Sequence, residues 1–392
     1  MKVLFINTVY GKGSTGRIIE SLGNALEEKG HEFMVAYGRG EMLDDSHCYR
    51  IGSKAGTYFH AGISRLTDKS GFYSNGATKK LISFIKEYNP DIIHLHNLHG
   101  YYLNVEILFD FLKNEYHGKV FWTLHDCWSF TGHCMHFTFA ECDRWKTGCF
   151  DCMQKNEYPK SILSDNSKAN YIKKKNIFTG VPNLSVITVS HWLESVVKES
   201  YLKDYPVKCI YNGIDTEKFR PVENNIKEEL NISGKKMILA VSDGWTKQKG
   251  FPTVIDIAKK APEDWHFVII GLDKEQLAQL PENITGYERI WNQDKLIEYY
   301  SAADVFFNPS IEETFGLVTG EAIACSTPAV VFNKTACPEL IIGDENGSVI
   351  DYNASSEEII KTLESNMNKK EKKTVVSTKE QFINEHLCFY GV

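Results

Sequence analysis

The sequence predicts an α/β protein of two doubly wound parallel-sheet domains, and three observations carry that expectation. Short apolar runs alternate with amphipathic stretches of helical length along nearly the whole chain. The alternation starts afresh in the second half. At 392 residues the chain is too long for one ordinary core and fits two domains of roughly 170–200 residues each. Strands alternating with helices mean βαβ units and a parallel sheet.

In the first half the strand candidates are Val3–Asn7, Phe33–Tyr37, Ile92–His96, Val120–His125 and Val186–Ser190, with helical stretches such as Gly16–Lys29 and Val105–Tyr116 between them. The apolar run at the N-terminus is too short for a signal peptide and reads as a first buried strand. Pro221, the polar run Glu223-Asn224-Asn225 and Gly234 break the pattern near Phe219–Gly234. The second series runs Ile238–Ser242, His266–Gly271, Ile284–Tyr287, Val305–Asn308, Ala329–Phe332 and Ser348–Ile350, with helices over Phe251–Lys260, Asp294–Ala302 and Ser356–Asn366. The expected division is 1–205 and 206–373, both Rossmann-like, with a helical tail over 374–392. No repeat of fixed period is evident.

Composition narrows the function classes. A net charge of −7 argues against a nucleic-acid partner. The basic runs Lys173-Lys174-Lys175 and Lys369-Lys370-Glu371-Lys372-Lys373 read as solvated helix faces before they read as contacts to an anionic membrane. No segment reaches the roughly 18 apolar residues of a membrane helix. The expectation is a cytoplasmic protein, with any membrane association peripheral, on the inner face of the plasma membrane. Ten cysteines in a reducing compartment suggest metal binding or burial rather than disulfides.

Ligands of open parallel sheets bind at the carboxyl ends of the strands, so the segments after strands matter most. After Val305–Phe307 comes Asn308-Pro309-Ser310-Ile311-Glu312-Glu313-Thr314-Phe315-Gly316-Leu317-Val318-Thr319-Gly320-Glu321-Ala322. A helix opening near Gly316 would offer free amides to an anion, and Gly316 permits close backbone approach. Glu313 and Glu321 could accept hydrogen bonds from two different sets of hydroxyls. This segment resembles the signature of the large retaining glycosyltransferase family with the GT-B fold, of the group 1 or family 4 type: Glu313-Thr-Phe-Gly-Leu-Val-Thr-Gly-Glu321, followed by a Ser326-Thr327-Pro328 turn into the next strand. Ile210-Tyr211-Asn212-Gly213-Ile214-Asp215, with Phe219-Arg220-Pro221 behind it, is similar to the family's crossing segment between domains.

The resemblance implies two Rossmann-like domains facing across a cleft, a nucleotide-sugar donor (a UDP- or GDP-sugar) and transfer to a carbohydrate acceptor with retention of configuration. Glu313 would hold the donor sugar and Glu321 the ribose. Phe315, Gly316, Leu317 and Val318 would form the diphosphate turn. The family's phosphate-binding Lys-Gly corresponds to Lys249-Gly250 in Val241-Ser242-Asp243-Gly244-Trp245-Thr246-Lys247-Gln248-Lys249-Gly250. Many members place an arginine just after this strand. Ser242-Asp243 stands there instead, leaving Lys247 as the candidate substitute. With no Asp-x-Asp motif at a credible place, catalysis is expected to need no divalent ion.

In the first half, Gly11-Lys12-Gly13-Ser14-Thr15-Gly16-Arg17 follows the first strand. It lacks the lysine and hydroxyl of a P-loop. It has the spacing of a dinucleotide fingerprint but no convincing acidic residue about 20 positions on. The resemblance places Gly13, Ser14, Thr15 and Gly16 on the acceptor side instead. It also places a histidine near the reaction centre, which is His125 in Thr123-Leu124-His125-Asp126, with Asp126 to orient it. His94 and His96 share one face of a strand. They would either line the cleft or be buried structural histidines.

The insert 127–152 holds Cys127, Cys134, Cys142, Cys149 and Cys152. Cys149-Phe-Asp-Cys152 has the spacing of a structural zinc site, with Cys134 and Cys142 to complete four thiolates, or His133 or His136 replacing one. Zinc would staple a loop too small and polar to hold its own fold. Free buried thiols and redox chemistry are the alternatives. Thr123–Cys134 with Ser14–Ile18 resembles a bacterial subgroup associated with capsular and exopolysaccharide assembly of the colanic-acid type. The tail is expected, by the same resemblance, to return to the N-terminal domain. Two rival functions stay open at this point: a sugar-nucleotide epimerase or hydrolase of the same fold, and a catalytically silent sugar-nucleotide-binding scaffold.

Overall fold

A computed structural model describes residues 1–43, 45–367, 369 and 374–392. The basic run at 369–373 therefore lies, apart from Lys369, outside the described residues. The chain divides into two compact units, Met1–Ile210 with Ile383–Val392, and Tyr211–Phe382.

The first unit runs β1 Lys2–Asn7, α1 Gly13–Glu28, β2 Glu32–Tyr37, β3 Cys48–Arg50, α2 Lys54–Thr67, α3 Asn75–Tyr88, β4 Ile92–Leu95, α4 Val105–Asn114, β5 Lys119–Leu124, α5 Ser167–Phe178, β6 Leu184–Thr188, α6 His191–Glu199 and β7 Val207–Cys209. Seven strands, all parallel, lie in the order β3-β2-β1-β4-β5-β6-β7. Val3–Ile6 of β1 are wholly buried, as central strands covered on both faces require. The edge strands β3 and β7 have three half-exposed residues each, so no apolar run announced them. Helix α1 begins at Gly13, three residues earlier than expected from Gly16.

The second unit runs α7 Ile226–Glu229, β8 Lys236–Val241, α8 Phe251–Lys260, β9 Trp265–Ile270, α9 Lys274–Leu277, β10 Ile284–Tyr287, α10 Gln293–Ala302, β11 Val305–Asn308, α11 Leu317–Ala324, β12 Ala329–Phe332, β13 Gly347–Ile350 and α12 Ser356–Asn366. The last helix, α13 Lys379–Tyr390, begins in this unit and ends in the first. The six strands are parallel in the order β10-β9-β8-β11-β12-β13. Alternation sends Leu239, Val268, Phe306 and Val331 into the core on one face. Ile238, Phe267, Phe307 and Val330 fill the core on the other. Both units are thus Rossmann-like α/β folds.

Each sheet reverses its strand order once, between β1 and β4 in the first unit and between β8 and β11 in the second. Such a switch point opens a crevice at the strands' carboxyl ends. The segments leaving these four strands are the glycine-rich turn, His96–His99, Ser242–Gly250 and Pro309–Gly316. Among the described residues no helix is long and apolar enough to cross a membrane.

Candidate active-site residues

In the second unit two glycines set the loops. Gly250 ends the turn after β8 at φ +80°, and a Cβ there would run into the carbonyl of Pro309. Gly316 takes φ +92° before α11, where a Cβ would sit 3.2 Å from Leu340 Cδ1. Both conformations favour glycine. Because Gly250 lets the two loops touch, Lys249 Nζ reaches the carbonyl oxygen of Glu312 at 2.8 Å and Glu313 Oε1 at 2.8 Å. The Glu313 amide donates to Thr335 Oγ1 at 3.0 Å. Asn308 Nδ2 donates to Thr319 Oγ1 at 2.9 Å, tying the end of β11 to the first turn of α11. Leu317 and Val318 occupy that first turn, where amides lack intrahelical acceptors. Phe315 is buried with its ring 5.8 Å from that of Tyr211. Glu321, in the second turn, is buried and accepts from the Tyr300 hydroxyl at 3.1 Å. Burial, with Glu321 nearby, pushes the Cys325 thiol up to about 12.

Lys247 is exposed, and its carbonyl accepts from Gly250 in the turn. The position after β8 has another cation that sequence reasoning missed. Arg289, in the loop after β10, places Nη1 2.5 Å from Asp243 Oδ1 and lies 4.1 Å over the Trp291 ring. It is 46 residues from Asp243, and only the sheet order brings it there.

In the first unit the switch point is held by Asn7, which is fully buried. Its Nδ2 donates to Val9 O at 2.7 Å and Thr15 Oγ1 at 3.3 Å, and its Oδ1 accepts from the Asn97 amide at 3.2 Å. The glycine-rich turn is thereby fixed to β1 and to the end of β4. Gly16 packs on the backbone of Tyr10 and Gly11, whereas Ser14 is exposed. His125, just past β5, has Nε2 3.0 Å from His96 Nδ1, with the rings stacked. Burial drives the His125 pKa down to about 4, against the pull of Asp126. His96 is buried too, its Nε2 without a hydrogen-bond partner, and its pKa falls well below the ordinary histidine value because of burial and then His94. Asp126 takes a different partner from the one expected. Its Oδ2 lies 2.7 Å from His99 Nε2 and its Oδ1 accepts from the Trp128 amide at 2.8 Å. Against burial, His99 holds the Asp126 carboxyl below the usual range. His94 is a buried structural residue: Nδ1 lies 2.6 Å from the Tyr390 hydroxyl and Nε2 2.7 Å from Thr123 Oγ1.

The insert departs from expectation in what holds it. Phe137 and Trp145 stack at 4.7 Å with Phe130 beside them, so the loop has an aromatic core. Lys174 of α5 is 1% exposed and therefore no part of a solvated lysine face. Its Nζ donates to Trp128 O at 2.8 Å and Thr131 O at 3.2 Å, and sits 3.6 Å over the Trp128 ring. His133 pairs with Asp68 in the interior. Cys152 and burial hold the Cys134 thiol well above the usual thiol range, while Cys149 Sγ accepts from the Gly132 amide. The cysteines do not close into a metal cage. Among the described residues, the metal-ligating atoms gathered within 4.8 Å of one another are those of His191, Glu194 and Cys209. The four thiols expected to hold zinc, Cys134, Cys142, Cys149 and Cys152, act on one another electrostatically, but they are not drawn together within that distance; aromatic packing and Lys174 also anchor the loop.

The profile described as Glycosyltransferase Family 4 matches residues 15–218, just over half of the chain, and that of Glycosyl transferases group 1 matches 222–381. The chain belongs to glycosyltransferase family 4. Among its relatives, the putative colanic acid biosynthesis glycosyl transferase WcaC of Escherichia coli K12 is 24% identical over 87% of this chain and 85% of its own. Alpha-maltose-1-phosphate synthase of Mycolicibacterium smegmatis is 28% identical over 44% of this chain, a match that spans half of that relative's length. In fold, this glycosyltransferase is similar to sucrose-phosphate synthase from Thermosynechococcus elongatus, with a TM-score of 0.73 at 17% identity over 100% of this chain and 98% of that one. It is also similar to HepE from Anabaena in complex with UDP, with a TM-score of 0.63 at 15% identity over 99% of each chain.

Proposed function

We propose that this glycosyltransferase is a retaining hexosyltransferase. It takes a sugar from a UDP- or GDP-sugar and passes it to a saccharide or lipid-linked saccharide in polysaccharide assembly at the inner face of the plasma membrane. The carrying observation is the Lys249–Glu313 pair at the β8/β11 switch point, beside a helix start that opens on Gly316. In this reading the diphosphate lies on the amides of Gly316, Leu317 and Val318, and Lys249 stabilises its charge as the sugar leaves. Glu313 accepts hydrogen bonds from the donor sugar, and Glu321, steadied by Tyr300, from the ribose. Arg289, with Lys247, supplies the second cation of the diphosphate site.

Stabilising the leaving group in a fixed site suits retention. The acceptor hydroxyl attacks the face that the diphosphate leaves: its oxygen bonds to the anomeric carbon as the bond from that carbon to the phosphate oxygen breaks, and its proton passes to the departing diphosphate, so positioning replaces a strong nucleophile. His125, neutral at ordinary pH, offers a hydrogen bond to the sugar without adding charge. Gly13, Ser14, Thr15, Gly16, His96 and Asp126 form the acceptor side. The colanic-acid relative supports a polysaccharide role, and the UDP and UDP-glucose bound to HepE favour testing UDP-sugars first.

A thermal-shift screen of UDP-, GDP- and ADP-sugars identifies the donor, since a ligand bound only by the native state raises the melting point. Acceptor-dependent release of nucleotide, with the product anomer assigned by NMR, then tests transfer. Equal nucleotide release with and without acceptor, or an inverted product, overturns the reading.

A further inference from the structure

Away from the residues assigned to sugar transfer, three ligating side chains of different chemistry converge at one corner of the first sheet. Among the described residues, His191 Nδ1, a carboxylate oxygen of Glu194 and Cys209 Sγ lie within 4.8 Å of one another. The fold puts them there in two steps. The register of β6 on β7 sets Cys209 beside Thr188. Two residues on, Ser190 caps α6 by accepting from the Leu193 amide at 3.2 Å, so the helix starts at once. His191 and Glu194, three positions apart in its first turn, share one face. Cys209 belongs to a three-residue edge strand and is half-buried, while His191 is exposed. An ion can therefore reach the three atoms from solvent.

The donor set selects the ion. A neutral imidazole, a carboxylate and a thiolate together carry the charge that balances a divalent cation, and sulfur with nitrogen favours zinc over magnesium or calcium. The distances fit with little motion. His191 Nδ1 lies 2.9 Å from Glu194 Oε2, and nitrogen and oxygen ligands of a tetrahedral zinc stand about 3.3 Å apart. Nitrogen and sulfur ligands stand about 3.6 Å apart, inside the 4.8 Å spread of the three atoms.

Glu194 is also held in position. Its Oε1 accepts from Lys198 Nζ at 2.7 Å, which leaves Oε2 turned to the histidine. A hydrogen bond to the second oxygen is the support that ligating carboxylates ordinarily have.

We infer that His191, Glu194 and Cys209 bind one zinc ion, with water in the fourth position. On binding, the Cys209 thiol gives its proton to solvent and His191 carries its own on Nε2, leaving Nδ1 to the metal. The ion ties α6 to the edge strand β7 just before Ile210, where the chain leaves the first unit. It acts as a clasp on that exit. None of the three residues belongs to the donor or acceptor sites, so the inference stands apart from the proposed transfer reaction.

The test uses the full chain, stripped of metal by chelation and kept reduced, then titrated with zinc against a chromophoric chelator and, separately, with cobalt(II). One equivalent of zinc is expected at this site, with a higher melting midpoint when zinc is present and, for cobalt, a thiolate-to-metal charge-transfer band. Cys209→Ser and His191→Ala should each weaken that equivalent at least about tenfold, since loss of a supporting hydrogen bond alone costs about 10–100-fold. Cys209→Ser should also remove the band, whereas Cys149→Ser/Cys152→Ser, which alters only the insert's thiols, should keep it. Melting midpoints of the metal-free variants check that they are folded. Zinc binding absent from the parent, or unaltered in both folded variants, overturns the inference. So does binding that survives Cys209→Ser and vanishes in Cys149→Ser/Cys152→Ser, which would make the insert the metal site.

Discussion

Lys249 Nζ lies 2.8 Å from Glu313 Oε1 and 2.8 Å from the carbonyl oxygen of Glu312, so one ammonium bridges two successive residues of the loop leaving β11. The lysine and the carboxylate hold each other at the switch point. Glu313→Gln and Lys249→Ala are each expected to lower kcat/KM by about 10²–10³. The pair is partly exposed, so unfolding free energy should change by less than about 1 kcal/mol. Steady-state kinetics beside urea titrations separate the two effects. Turnover within a factor of about two of the parent would remove both residues from the reaction.

Gly316→Ala tests the helix start. The φ of +92° costs a non-glycine residue about 1–3 kcal/mol, and the new methyl meets Leu340. Nucleotide affinity should fall more than stability does, because the diphosphate turn is where the backbone shifts. Calorimetric titration with the donor nucleotide, compared with the melting midpoint, reads this directly.

Acid should destabilise the first unit. The His125 and His60 pKa values are pushed down to about 4 by burial, and those of His94 and His96 fall well below the ordinary value. An unfolded chain takes up these protons near pH 6.5, whereas folded His60 and His125 refuse them until about pH 4. The unfolded state therefore binds more protons in that window, and stability is lost as pH falls through it. Each histidine contributes up to about 1.4 kcal/mol per pH unit. Urea midpoints at about pH 7.5 and about pH 5 measure the slope. A flat profile would mean that the histidines titrate freely.

Lys174→Met should loosen the insert. It leaves the carbonyls of Trp128 and Thr131 without their donor, at about 1–3 kcal/mol for each buried group. If aromatic packing and Lys174 suffice to anchor the loop, chelation by EDTA leaves the melting midpoint in place in the Cys209→Ser variant. Stoichiometric zinc by elemental analysis, with a fall in midpoint on chelation, would contradict this.

Much of the architecture was legible because buried parallel strands are continuous apolar runs. Val3–Asn7, Ile238–Ser242 and Val305–Asn308 each match an observed strand to within a residue or two. The edge strands Cys48–Arg50 and Val207–Cys209 were not legible, since half-exposed three-residue strands carry no such signal. At the site, the glycine before α11 and the Lys-Gly after β8 could be read because a backbone demand fixes the residue type. Three residues could not. Asn7, Arg289 and Lys174 act through partners 90, 46 and 46 positions away in the chain. Nothing local distinguishes the buried lysine from its two neighbours in Lys173-Lys174-Lys175.

Tyr390 is 1% exposed, with its hydroxyl 2.6 Å from His94 Nδ1 and its carbonyl oxygen accepting from Lys119 Nζ at 3.0 Å. Loss of that ring would strip a keystone from the floor of the first sheet and strand an imidazole in the interior. The melting midpoint of a Tyr390→Ala variant should therefore report how far the first unit hangs on this one side chain.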